Sequence, residues 1–245
     1  MIRKIPVLII LLNVVFPPSI KALPFSSKLS ESEQRAINET IGIGSGSTYA
    51  ENLYALGGYQ GFRLSLLSKY LSLQHLRQFS SGLNQVSDIL QYELVLSKGL
   101  FHNIDFWGGF GPKTGNNGSV SFSGGVKWMA WESGNYPLSL GLILAIRQVN
   151  YHNQITVHNQ TTDLFLNYFL HNFFSYFCFG IIRTNSQFIG GPYGVTISGE
   201  TESLSRSLGR PLFGFGYRFL KKIWLGVEIG HVADTFTALK ISYDQ

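Results

Sequence analysis

Over most of its length this chain alternates polar and apolar residues one for one, in segments of about ten residues separated by short polar breaks. A period of two is that of a β-strand, whose successive side chains point to opposite faces. Between 119 and 132, Val120, Phe122, Val126, Trp128 and Ala130 share one face, and Ser119, Ser121, Ser123, Gly125 and Lys127 the other. Leu138, Leu140, Leu142, Leu144 and Ile146 likewise oppose Ser139, Gly141, Ala145 and Arg147. The pattern sets Phe62, Leu64 and Leu66 against Arg63, Ser65 and Lys69, and Leu90, Tyr92, Leu94 and Leu96 against Gln91, Glu93 and Ser97. It recurs late in the chain, with Phe213, Phe215, Tyr217 and Phe219 against Gly214, Gly216 and Arg218, and with Ile223, Leu225, Val227 and Ile229 against Gly226, Glu228 and Gly230. No segment after the N-terminus approaches the roughly 20 apolar residues of a membrane-spanning helix. The best run, 138–146, is nine residues long and contains Ser139 and Gly141.

The N-terminus has a different order. Arg3 and Lys4 precede an apolar run from Ile5 to Phe16, and the small residue Ala22 closes the stretch. Charged, apolar, then small is the order of a cleavable secretory signal, which assigns 1–22 to export. One alternating strand fits a soluble sandwich, but six or more after an export signal point to a closed transmembrane barrel. Removing the signal deletes Arg3, Lys4 and Lys21 and leaves 16 basic and 14 acidic residues, so the net charge of +5 gives no reason to expect nucleic acid as a partner. Cys178 is the only cysteine, which excludes an intramolecular disulfide and a CxxC metal or redox site. No cofactor is expected.

Ten strands are expected, near residues 59–71, 86–97, 102–111, 119–132, 137–150, 161–171, 174–186, 210–220, 222–231 and 236–243. Bacterial barrels have an even number of strands, joined by short periplasmic turns alternating with longer outer loops. The connections 72–85, 112–118, 151–160 and 187–209 are long, whereas 98–101, 133–136, 172–173 and the one at Lys221 are short. The sequence Gly115-Asn116-Asn117-Gly118 supplies turn residues that tolerate left-handed backbone angles. Tyr59, Tyr70, Phe106, Phe110, Trp128, Trp131, Phe174 and Trp224 lie near strand ends, where they either form interface girdles or fill the lumen. The predicted fold is all-β: an antiparallel up-and-down transmembrane barrel over 58–245 with a short N-terminal extension, 23–57. That extension contains Ser30-Glu31-Ser32-Glu33, a capping-box pattern, and a Gly/Ser-rich stretch at 42–47; it either plugs the barrel or hangs in the periplasm.

Near the C-terminus Leu239, Ile241 and Tyr243 alternate toward the end, and 96–106 reads strand, turn, strand around Lys98-Gly99. In these features the chain resembles bacterial outer-membrane β-barrel proteins as a broad class, although it ends Asp244-Gln245 instead of in the terminal Phe of their assembly signal. The resemblance implies an outer-membrane location, with membrane lipid and the barrel-assembly machinery as partners.

The residues that carry chemistry are the charges on the inferred inner face: Arg63, Lys69, Glu93, Asp105, Lys127, Arg147, Asp163, Arg218 and Glu228. Reading neighbouring strands as hairpins pairs Arg63 with Glu93, Asp105 with Lys127, Arg147 with Asp163, and Arg218 diagonally with Glu228. Pairing answers the cost of an isolated charge in a narrow interior and favours an ion-paired, closed lumen over a conducting pore. The expected function is therefore a structural or binding barrel, with a narrow solute channel as the alternative. A third reading, a lipid-modifying enzyme, would draw on outer-loop His75, His152, His158 and His231 with Asp234, Ser203, Ser205 and Ser207. None of these sits in a recognisable hydrolase motif, and they carry no metal-ligand spacing, so no catalytic or metal residue is assigned.

Overall fold

The alternation resolves into ten antiparallel strands whose hydrogen-bond ladder closes on itself. In the computed structural model they run β1 (Phe62–Leu71), β2 (Ile89–Phe101), β3 (Ile104–Gly111), β4 (Ser119–Glu132), β5 (Leu138–Tyr151), β6 (Ile155–Leu170), β7 (Phe173–Phe188), β8 (Glu202–Leu220), β9 (Ile223–His231) and β10 (Thr235–Asp244). Each strand pairs with its neighbours in the chain, and β1 meets β10 to seal the barrel. The structure describes residues 25, 28–80, 83, 86, 88–101, 103–113, 119–231 and 235–245. The proposed signal at 1–22, the Gly115–Gly118 turn residues and Asp234 lie outside the described residues.

Closure of β1 on β10 leaves the sheet without a free edge strand over its common height, the condition for a β-structure to sit in hydrocarbon, and residues 202–211 of β8, at the loop end, extend beyond β9. No helix among the described residues is long and apolar enough to cross a membrane. The outward faces carry the apolar residues of the alternation, such as Leu94, Phe122, Leu144, Leu164, Phe179 and Phe213, all exposed. Of the strand-end aromatics, Tyr59, Tyr70, Phe106, Phe110, Trp128 and Trp131 face outward, whereas Phe174 and Trp224 are buried inside.

The barrel is lopsided. Residues 155–160 and 202–209, which the sequence reads as loops, are strand: β6 starts at Ile155 and β8 at Glu202. The connection from β5 to β6 is a tight turn in which His152 and Asn153 both have positive φ, 53° and 58°, and the amide of Gln154 donates to the carbonyl of Tyr151 at 2.9 Å. Positive φ at both central positions is the type I′ geometry that suits a hairpin's twist. These strand extensions escape a reading by amphipathicity because their outward residues, including Thr156, His158, Gln160, Ser203, Ser205 and Ser207, are polar. Their assignment rests on the ladder, with Thr156 opposite Gln187 and Gln187 opposite Ser203. The wall formed by β5 to β8 thus rises above β9, which pairs with β8 only from Leu212 onward.

The N-terminal segment begins at the end of the barrel that carries the loops. Helix α1 (Glu31–Ile37) starts from a complete capping box, in which the Glu33 amide donates to the Ser30 hydroxyl and the Ser30 amide to the Glu33 carboxylate. A π-helical turn (Asn38–Gly42) follows. The helix is held among the loops. The Leu29 amide donates to the Val195 carbonyl at 2.7 Å, the Gln34 amide group to Glu202 at 2.7 Å, and the Ser80 hydroxyl to Glu33. The Ser80 hydroxyl in particular holds the Glu33 carboxyl below the usual carboxylate range. Helix α2 (Gln74–Phe79), between β1 and β2, is tied down by Asp88, which accepts from Tyr70, the Leu73 amide and Arg77. Burial raises the Asp88 carboxyl, but these donors outweigh it and the net shift is downward. From Gly42 the chain descends to a 3-10 turn (Gly58–Gln60) at the opposite end, where β1 begins. Four connections at this end are brief: 102–103, 133–137, 171–172 and 221–222.

Threading predicts that Ser32 and Lys222 lie at opposite ends. With Cys178 buried, a membrane-impermeant maleimide applied to vesicles with uniformly oriented protein should modify Ser32→Cys and Lys222→Cys from opposite faces. Modification of both from one face would refute the threaded path.

Candidate functional site in the barrel lumen

The inward positions of the strands converge on the backbone of residues 42–56. Starting at the loop end, the Asn159 side-chain amide donates to the Gly42 carbonyl at 3.0 Å. The carbonyl of Gly46 accepts from two cations, Lys69 Nζ at 2.6 Å and Arg147 Nη1 at 3.2 Å. Arg210 Nη1 donates to the Ser47 carbonyl at 2.7 Å. Further down, Arg63 Nη1 donates to the carbonyl of Asn52 at 3.0 Å and Lys127 Nζ to that of Tyr54 at 2.8 Å. Five wall cations from β1, β4, β5 and β8 therefore grip backbone oxygen, a charge-assisted arrangement stronger than one between neutral groups.

The wall's carboxylates hold the segment's amides. Glu228 accepts from the amides of Tyr49 at 2.9 Å and Ala50 at 3.1 Å, while the Tyr176 hydroxyl donates to the same carboxylate. Ala50 has φ 44°, an uncommon conformation for a residue with a side chain, and it turns two successive N–H groups toward one anion. Asp105 accepts the Leu56 amide at 3.1 Å. The segment contributes one charge of its own: Glu51 is bound by Lys240 and lies 3.5 Å from Arg63. Gly226 of β9 makes this approach possible, since a Cβ there would stand 1.9 Å from the Ala50 carbonyl oxygen.

The ion pairs differ from three of the four inferred from hairpins. Asp105 and Lys127 are joined at 3.0 Å, directly opposite each other on β3 and β4. Arg63 does not meet Glu93. It binds Asp244 of β10 at 2.6 Å across the barrel's closing seam, because the register sets Arg63 opposite Ser97 and leaves Glu93 four residues higher. Glu93 instead pairs across the lumen with Arg147 at 2.9 Å. Asp163 pairs with Arg210, not Arg147, because β6 begins earlier than its sequence implies and Asp163 stands opposite Ile143. Arg218 and Glu228 are also separate. Arg218 sits at the short-turn rim, donating to Asn172 Oδ1 at 2.9 Å and lying over the Trp224 ring, while Glu228 is opposite Gly214. Except for Arg218, the nine charges named from the sequence are buried.

Arg210 and Lys240 also belong to the site. Both lie on the inward parity of their strands, at 1 % and 2 % exposure, so the alternation that found the others would have found them. Arg210, Asp163 and Tyr49 form one unit: the Tyr49 hydroxyl donates to Asp163 at 2.5 Å and accepts from Arg210 Nη2 at 3.0 Å.

Below these groups the lumen is filled by aromatic rings. Tyr54 lies 5.5 Å from Phe169, Phe169 5.7 Å from Trp224, and Trp224 5.8 Å from Phe174, centroid to centroid. Phe174 reaches its place because a Cβ at Gly216 would collide with its ring at 2.4 Å. Beside Glu51, Lys127 and Lys240 a void of about 20 Å³ remains, room for about one water molecule.

The residues of the enzyme reading are dispersed. His75 lies in α2, His152 in the β5–β6 turn, and His231 near Thr235 at 3.2 Å. His158 and Ser205 share an outward row through Asn185. They are two strand spacings apart, about 10 Å, beyond the reach of a nucleophile and its base.

Breaking the buried unit should be costly. Asp163→Leu should lose roughly 3–5 kcal/mol of stability, because the Arg210 guanidinium is then buried without its carboxylate. The urea midpoint of the folded, fast-migrating gel band reads this, and adding Arg210→Leu should recover part of the loss. Losses that simply add would show that the two residues are not coupled.

No protein-family model matches the sequence, and no curated protein matches it. Solved structures similar to it include the N-terminal β-barrel domain of Pseudomonas aeruginosa OprF, at 11% identity over 77% of this chain and 99% of that one, TM-score 0.34. The outer-membrane protease OmpT of Escherichia coli is similar at 10% identity over 80% of this chain and 100% of that one, TM-score 0.40. The KdgM porin in complex with disordered oligogalacturonate is similar at 8% identity over 75% and 98%, TM-score 0.37. By its own closed ladder, even strand number and apolar outer face, the chain has the fold of a bacterial outer-membrane β-barrel.

Proposed function

We propose that this protein is an outer-membrane barrel kept closed by its own N-terminal segment, acting as a structural or ligand-presenting element through its loop end. The observation that carries this reading is the double grip on residues 42–56, with cations on the carbonyls of Gly46, Ser47, Asn52 and Tyr54 and carboxylates on the amides of Tyr49, Ala50 and Leu56. Each contact to a charged group contributes more than an ordinary hydrogen bond, and the charged groups that make them are buried. A segment so held blocks solute passage.

Residues 1–22 direct export, the segment after them becomes the plug, and the assembly machinery recognises the last strand, whose Leu239, Ile241 and Tyr243 lie on its outward parity. Membrane lipid surrounds the apolar faces. Catalysis has little support, since His158 and Ser205 stand too far apart to act as a base and its nucleophile.

Planar-bilayer conductance tests the closed state. The full-length protein should give a folded, heat-modifiable band and no steady conductance. Gly226→Val places side-chain atoms where the Ala50 backbone now lies and should produce channel openings while the band shift is retained. Steady conductance by the unaltered protein would refute the plug, and a folded but silent Gly226→Val protein would show that Ala50 does not govern closure.

A further inference from the structure

On β5 to β8 the outward face changes character partway along each strand. It is apolar up to Ile146 on β5, up to Ile181 on β7 apart from Ser175, and from Pro211 to Phe219 on β8; beyond those points it carries no apolar side chain. On the shorter strands β1 to β3 the apolar outward residues continue to the loop end. The tall wall therefore presents a polar outer surface immediately above an apolar belt.

A groove of about 280 Å³ crosses this surface, lined by His158, Gln160, Arg183, Asn185 and Ser205. The register explains the grouping: Gln160 stands opposite Arg183, and His158 opposite Asn185, itself opposite Ser205. Arg183 is the one charged residue on the outward parity of these four strands among the described residues. It makes no ion pair or hydrogen bond with any described residue, although carboxylates and carbonyls answer the other arginines of β5 to β8. A guanidinium presents a planar fork of donors suited to phosphate oxygen, and the amide and hydroxyl groups around it add neutral donors.

We propose that this groove binds the anionic phosphate headgroup of a membrane lipid whose acyl chains lie down the belt below. The occupant is a lipid, not free phosphate, because two residues before Arg183 the same face becomes Ile181 and then Phe179, 61% and 58% exposed. Leu164 of β6 continues that surface at 58%. A ligand carrying charge and hydrocarbon one above the other matches both parts. The site rests on the reading of the barrel as membrane-spanning, and it gives the wall's extra height a role the closed lumen does not require.

Native mass spectrometry of the full-length protein in nonionic detergent tests the site, with dioleoyl-phosphatidylglycerol as the probe. The protein should retain this lipid about tenfold better than the Arg183→Gln variant does, the loss expected for one contact to a charged group. Dioleoylglycerol, which keeps the chains and lacks the phosphate, should be retained no better than by the variant, and millimolar inorganic phosphate should not displace the phospholipid. Equal retention by Arg183→Gln, or of the diacylglycerol, would overturn the proposal. Displacement by inorganic phosphate would overturn the assignment to a lipid. A heat-modifiable band in both proteins keeps these failures distinct from failure of the barrel reading, which would remove the band shift itself.

Discussion

A charge placed in a narrow protein interior must find a partner or destabilise the fold, and in this barrel the wall's own carboxylates answer only part of the demand. Glu93, Asp105, Asp163 and Asp244 pair with Arg147, Lys127, Arg210 and Arg63. The same cations retain donor capacity, and Lys69 has a carbonyl as its hydrogen-bonded partner. A non-regular segment inside a lumen has the complementary problem, because its amides and carbonyls lack a ladder. The barrel wall and residues 42–56 solve both problems together. Each supplies the hydrogen-bonding groups that the other would leave unsatisfied, so neither arrangement makes physical sense alone.

This mutual dependence explains where small residues and rings fall. The segment can press against β9 because Gly226 has no side chain, and its turn at Ala50 directs two amides at Glu228. Below the polar zone, the cluster of Tyr54, Phe169, Phe174 and Trp224 fills the space that charges would leave wet. Trp224 is one of the aromatics whose sequence position suited a girdle equally well. Parity, not proximity to a strand end, decides the matter, since Trp224 lies on the same face as Gly226 and Glu228.

Strand length varies around the barrel with consequences for both ends. The eight-residue β3 and the nineteen-residue β8 belong to one closed sheet. The additional length of β6 to β8 lies at the loop end, where it supports Glu202 against α1 and Arg206 against Glu39 of the π-helical turn on one side and displays Arg183 on the other. The tall wall is thus a bracket for the N-terminal helix and a polar outer surface at once.

The sequence alone determined the strand number, the alternation of faces and the identity of most inward charges, because a period of two is written locally and a buried face must be uniform along a strand. The capping box ahead of α1 was legible for the same reason, as its bonds span three residues. The partners of the inward charges were not. Arg63 meets Asp244 only because the sheet closes, and Glu93 meets Arg147 only because β2 and β5 face each other across the lumen. Asp163 could not be matched with Arg210 while the start of β6 was hidden by its polar outward residues Thr156, His158 and Gln160. Whether residues 23–57 enter the barrel was equally closed to sequence reasoning. That path depends on backbone groups, which every residue carries, meeting charges brought together from separate strands by the tertiary structure.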